Sequence, residues 1–295
     1  MERRILELVR TDPAACVSQL ETYLQGRESD VDALQLAAEV HFELGNAELA
    51  HEALARALDL DPDGSVGGTA KFLWMAQLTG GHAGIQFYEQ GVRNSADPAQ
   101  LTQAYLGMVE IWMTDLCMEE AAESECERLI AKALLLDDAN PEVHSILASI
   151  RISQQRPEDA RASLARSWLL FQDSLAVSSL PSIIRLAQSM LECGMYMEVL
   201  ELTTLCTRLD DEVPDLYYLN ALAHKMCFEQ DSEPHHAAGA RDAVELLMAL
   251  PEVDPEMLEA AQQLLSEVPE VDAPESDEED EEDEEDEERI DELGG

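Results

Sequence analysis

Positive charge is what this chain has least of. Only 18 of its 295 residues are Lys or Arg, against 63 Asp and Glu, and the formal net charge is -45. Three are lysines, Lys71, Lys132 and Lys225. A surface that binds nucleic-acid phosphates needs a clustered basic stripe, so so few scattered cations argue against direct nucleic-acid binding and point to a cationic partner. Long apolar runs are also missing. Nothing approaches the eighteen or more residues of a membrane span, and the opening MERRILELVR reads as a charged amphipathic helix without the apolar core of a signal peptide. An intracellular chain with no membrane partner is expected. The closing DELGG contains the letters of a retention signal, but Gly294 and Gly295 follow them.

Cysteine pairs are absent too. Cys16, Cys117, Cys126, Cys193, Cys206 and Cys227 lie far apart, with no metal-ligand spacing, and read as reduced, buried hydrophobes. No phosphate loop, dinucleotide fingerprint, HExxH or GxSxG occurs, so no enzyme, metal or cofactor is expected. LTGGHAGIQ has three glycines but no preceding strand, and reads as a turn between helices. His235 and His236 are adjacent without a third ligand nearby, and read as solvated.

What the chain does have is helical periodicity. Residues 31–64 carry apolar positions at spacings of three and four, first to about Leu44 and again from Leu49 to Leu60. Gly45 permits a left-handed stop between the two helices, and Asp61 with Pro62 closes the second. Counted from Val31, small residues fall at places 8, 20 and 27 (Ala38, Ala50, Ala57), with Gly45 at 15, Leu54 at 24 and Pro62 at 32. That is the tetratricopeptide pattern, with His41 where a tyrosine is usual. The frame returns at 141–174 through Leu147, Ala148, Ala160 and Leu164, and from Leu180 through Leu186, Ala187 and Gly194. Armadillo or HEAT units are longer, and a coiled coil would lack the glycine and proline stops. Strand patterns are missing. The expected fold class is therefore all-α: a tetratricopeptide-repeat superhelical solenoid over residues 1–268, with a helix near 256–266 as its cap, and a disordered acidic C-terminal tail over 269–295.

The tail is a polyanion, since every residue from Asp277 to Glu288 is acidic and such a block self-repels instead of folding. Ser276, just before it, has the setting of an acidophilic kinase site. Tetratricopeptide solenoids bind extended or helical peptides along their first helices. Here those helices offer Asp32, Glu39, Glu43, Glu110, Asp115, Glu142, Ser145 and Ser149, the reverse of a basic clamp for acidic peptide ends. Glu110 is the single charge in AQLTQAYLGMVEIWMT, and a carboxylate in that setting needs a cation, either Arg151 of a neighbouring repeat or a Lys or Arg of a ligand. Trp74 reads as packing between repeats rather than contacting a ligand.

KFLWMAQL, VEIWMTDL, SIRISQQRPEDAR and the DEE tail together resemble the family of dedicated assembly chaperones of large-subunit ribosomal protein L4, acidic tetratricopeptide proteins best known from fungi. The resemblance spans roughly residues 30–215. It implies a chaperone that captures newly made ribosomal protein L4, holds its basic internal loop in the concave groove and accompanies it to pre-60S assembly. It further implies a monomer in cytoplasm and nucleus, a nuclear import receptor reached through the client, and a tail that screens basic segments from RNA. A general acidic chaperone for basic nuclear proteins such as histones, or a scaffold without a dedicated client, remains the alternative.

Overall fold

A computed structural model describes residues 2–172 and 179–270, and among these it contains fifteen α-helices and no strand. The acidic run at 277–288 and Ser276 lie outside the described residues. Contacts gather into two compact units divided between Asp211 and Glu212, within the stretch the sequence reads as one solenoid.

The first unit is a tetratricopeptide solenoid of six helix pairs: α1 (Glu2–Thr11) with α2 (Pro13–Leu24), α3 (Val31–Glu43) with α4 (Ala47–Leu60), α5 (Ala70–Thr79) with α6 (Gly81–Asn94), α7 (Pro98–Met113) with α8 (Ala122–Leu136), α9 (Pro141–Ser153) with α10 (Pro157–Gln172), and α11 (Leu180–Glu192) with α12 (Tyr196–Thr207). The small residues of the repeat sit where the helices meet: Ala38, Ala50, Ala57, Ala148, Ala160 and Ala187 are all buried. Their lack of bulk lets the two backbones of each pair approach, while Leu54, Leu164 and Leu186 fill the space beside them. Short polar side chains start many of the helices. Asp12, Asp30, Asp97, Asn140 and Ser179 each accept a backbone N–H of the first turn, several with proline just inside the helix.

Gly45 and Gly194 both hold φ near +73° (73° and 72°), the left-handed stop their place in the repeat predicts. Gln155 occupies the same place in its own repeat at φ +58°, without being glycine. Gly107 answers a different need. A Cβ there would lie 2.2 Å from the Tyr88 hydroxyl, so only glycine lets that ring lie flat on α7.

The pairing pattern also gives the unit its curvature. Odd-numbered helices touch across repeats, α1 with α3, α5 with α7, α7 with α9 and α9 with α11, whereas consecutive even-numbered helices make no comparable contact among the described residues. A stack in which one helix of each pair meets its successor and the other does not is shorter on the first side. The odd helices therefore line the inner side of the first unit.

The second unit comprises α13 (Pro214–Asp231), α14 (Pro234–Ala249) and α15 (Pro255–Glu267), packed around Ala221, Ala240, Val244, Leu247 and Leu264. Its α15 agrees with the helix expected near 256–266.

Candidate functional site: the inner face of the first unit

Of the three lysines only Lys71, on α5, belongs to an odd helix of the first unit; Lys132 is on α8 and Lys225 is in the second unit. The Lys71 ammonium is fully buried, 2.7 Å from Asp61 Oδ2 and 2.6 Å from the Gly68 carbonyl. Lys132 lies 5.1 Å from the centroid of the Tyr105 ring, and Lys225 pairs with Glu229 and Glu267 at 3.0 Å each. All three are engaged within the chain, as are Arg128 with Glu125, Arg156 with Asp159 and Arg93 with Glu89. Arg56, Arg166 and Arg208 are exposed, on α4, on α10 and just after α12, the even-numbered side of their repeats.

On α3, Asp32 and Glu43 are exposed and Glu39 is half-buried one turn before Glu43. Burial, and then the neighbouring Glu43, push the Glu39 carboxyl above its ordinary range. Between them in the sequence lies His41, which burial shifts toward its neutral form, so this like-charged pair one helical turn apart would be relieved by an incoming cation. On the same side Trp74 of α5 meets Phe42 edge to face, with ring centroids 5.0 Å apart. Trp74 is only half-buried and shares a hollow of about 70 Å³ with Gln77, Tyr88, Gln100 and Gln103, so it packs between repeats and also presents a surface.

Glu110 departs from its expected partner. Arg151 pairs with Glu127, with Nη2 to Oε2 at 3.3 Å, and also donates to Gln154 Oε1 at 2.8 Å. Glu110 instead accepts from Arg185 Nη1 of α11, 75 positions away. This pair bridges from α7 to α11 across the intervening α9, whose side chains there include the short Ser145 and Ser149. Inner-side curvature brings α7 and α11 together, and a single sequence has no local signal for it. Both partners are a little under half exposed, 46% for Glu110 and 41% for Arg185, so the pair is solvent-screened and of small worth to stability. Glu110 also raises the buried Tyr88 hydroxyl, after burial itself.

The other expected contact residues divide. Glu142 is half-buried and accepts from the Ser182 hydroxyl, which links α9 to α11. Ser149 is half-buried and bonds back to the Ser145 carbonyl at 3.3 Å. Ser145 is only 4% exposed, so it corrects from surface to interior: it lies against the next repeat. Asp115 stands on the α7–α8 turn, where its Oδ2 accepts the Gly81 N–H at 2.7 Å and anchors the start of α6. The sequence does bring Asp32, Glu39, Glu43 and Glu110 to odd helices, whereas Asp115 belongs to an edge.

Two further expectations need correction. Cys117 is exposed, unlike the five other cysteines, because it falls in the long α7–α8 turn. His236 is buried, with Nδ1 3.1 Å from Nδ1 of His224 and Nε2 3.4 Å from Asp231, because α14 begins at Pro234 and turns that ring inward. His235 remains exposed. Among the described residues no group of three His, Cys, Asp or Glu is placed to hold a metal.

Burial, followed by the neighbouring His236 and His235, lowers His224 to about 4. Its neutral form is the one the fold favours, so its contribution is complete above the unfolded value near 6.5 and is lost as pH falls from there toward 4. After discounting for partial exposure, we expect α13 and α14 to lose about 1–2 kcal/mol of local stability between pH 7 and 4.5. Amide exchange of those helices measures this, and His224→Leu should flatten the slope above pH 5. A slope unchanged by the substitution contradicts the assignment.

No protein-family model matches the chain. An Emericella nidulans protein described as a "Probable assembly chaperone of rpl4" is 35% identical over 246 residues, covering 78% of this chain and 64% of that protein. A Schizosaccharomyces pombe protein of the same description is 31% identical over 213 residues, covering 65% of this chain and 62% of the relative. The chain thus spans slightly less than two thirds of the length of these curated relatives. The solved structure of "Assembly Chaperone of RpL4 (Acl4) (Residues 1-338)" superposes with a TM-score of 0.63 at 28% identity, over 80% of this chain and 99% of that one. The APC/C hetero-tetramer Cut9-Hcn1 superposes at 0.60 with 12% identity, over 92% of this chain and 49% of the matched one, a likeness of fold alone.

Proposed function

We propose that the chain is an assembly chaperone of rpl4, as its curated relatives are described, and that it captures newly made ribosomal protein L4 on the inner face of its first unit. The observation that carries this reading is electrostatic. Glu39 and Glu43 occupy α3 and Glu110 occupies α7, on a face whose one lysine, Lys71, is buried against Asp61, so a basic extended segment finds the Glu39–Glu43 pair there and can compete with Arg185 for the half-exposed Glu110. In this account the basic internal loop of L4 lies along that face, is shielded from RNA, and is delivered to pre-60S particles. The chaperone is a non-enzymatic monomer that moves with its client between cytoplasm and nucleus, with any import receptor recruited through the client.

Specificity resides in the ordered face and not in the acidic C-terminal run. Diffuse charge attracts any cation within about a Debye length, roughly 8 Å at physiological salt, whereas side chains fixed on helices select a register. Deletion of residues 275–295 should leave a one-to-one complex with L4 on gel filtration with light scattering, while raising the amount of L4 that co-precipitates with added RNA. Loss of the complex on that deletion would transfer specificity to the tail and refute this reading.

A further inference from the structure

Along one edge of the first unit, the turns that join the helices of each pair are tied to one another. Gly81 N–H donates to Asp115 Oδ2 at 2.7 Å, and His82 Nε2 meets Glu119 Oε1 at 2.7 Å, both linking the α5–α6 pair to the α7–α8 turn. Gln154 Nε2 then reaches Glu123 at 3.0 Å and Glu127 at 2.9 Å, and Arg161 Nε donates to the Cys193 carbonyl at 2.6 Å. Each bond crosses from one helix pair to the next, so the edge is preformed.

Two hollows open between these turns. One, of about 400 Å³, is lined by Trp112, Met113, Cys117, Ile150 and Gln155 among others. The next, of about 300 Å³, is lined by Ile152, Gln155, Pro157, Glu192 and Cys193. Gln155 borders both. It is also one of two described non-glycine residues with positive φ, at the place where Gly45 and Gly194 hold their turns. That conformation is costly for a residue with a Cβ, and glycine would avoid the cost. A glutamine there is a side chain kept at the divide between two cavities. Glu123 lines the first hollow and Glu192 the second, and the α7–α8 turn that brings exposed Cys117 to the first continues through Met118, 94% exposed, and exposed Glu119 and Glu120. Of the nearby cations, Arg151 pairs with Glu127 and Arg156 with Asp159, while Arg161 is directed to the Cys193 carbonyl beside the second hollow.

We propose that this edge is a second docking surface, for an extended basic segment of a partner protein that places two large apolar side chains in the two hollows. Neighbouring repeats are spaced by about 10 Å, the separation of packed helices, and a segment in the polyproline II form advances about 3.1 Å per residue with about three residues per turn, so two anchors three residues apart stand on one side of it with Lys or Arg around them. The carboxylate rim selects the charge and the hollows select the anchors. The surface uses none of Glu39, Glu43 or Glu110 and is independent of the inner face.

Cys117 supplies the readout, since the other five cysteines are buried. The full chain is incubated with the peptide Arg-Leu-Arg-Arg-Leu-Arg, with Arg-Gly-Arg-Arg-Gly-Arg or with Glu-Leu-Glu-Glu-Leu-Glu, and the rate of Cys117 alkylation by a maleimide is followed by mass spectrometry. At saturation the first peptide should slow the reaction at least about fivefold and the other two less than about twofold. The Glu39→Lys, Glu43→Lys, Glu110→Lys chain should behave identically, whereas Gln155→Gly, which relaxes the turn, should weaken the protecting peptide about tenfold. Equal protection by the glycine peptide, no protection by the leucine peptide, or a Gln155→Gly chain that binds unchanged each overturns the proposal.

Discussion

Replacing Lys71 by Met will lower the unfolding free energy by about 3–5 kcal/mol. Asp61 and Lys71 are both essentially excluded from solvent, at 1% and 0% side-chain exposure. Burial alone would raise the Asp61 carboxyl, but the Lys71 ammonium and the N–H groups of Gly67 at 2.9 Å and Val66 at 3.2 Å overcome it and hold the carboxyl far below its ordinary value. This network fastens the 61–69 loop to the start of α5, helped by Gln35 Nε2 donating to the Gly67 carbonyl at 2.9 Å. Removing the ammonium leaves a buried carboxylate that must either stay uncompensated or take up a proton. Urea denaturation read by circular dichroism measures the loss, and Asp61→Asn combined with Lys71→Met should cost less than the sum of the single changes. A loss below about 1 kcal/mol for Lys71→Met contradicts the buried pair.

The second large effect is on binding. Glu39→Lys, Glu43→Lys and Glu110→Lys together should weaken L4 binding by at least about 100-fold, roughly 2.7 kcal/mol, because each change turns attraction for a basic segment into repulsion. The fold should tolerate them. None of the three residues is fully buried, and the Glu110–Arg185 pair is exposed enough to contribute at most about 1 kcal/mol. Circular dichroism and melting within a few degrees of the parent chain establish that the face and not the fold has been lost.

The helices were legible because their signals are local. Apolar spacing placed the pairs, and Gly45 and Gly194 marked stops that the structure holds at positive φ. Gln155 shows the limit of that rule, since its turn keeps the glycine conformation without the glycine. Long-range pairings were not legible. Asp61 reads as the end of a helix beside Pro62, and nothing in a single sequence says that Lys71 will turn back and bury itself against it. Glu110 was recognisable as a charge in need of a cation, yet its partner is Arg185 and not Arg151, because repeat curvature joins α7 to α11. Ser145 and His236 are likewise polar letters turned inward by the register of their helices.

The central claim is that an ordered anionic face, and not charge in general, selects the client. The most direct test is a calorimetric titration of L4 and of a core histone into the full chain, and into its Glu39→Lys, Glu43→Lys, Glu110→Lys variant, at about 300 mM salt, where the Debye length has shrunk to roughly 6 Å and diffuse attraction is weakened. The account predicts a one-to-one complex with L4 that the variant loses, and little histone binding by either chain. Histone binding as tight as L4 binding, or L4 binding unchanged in the variant, would contradict it.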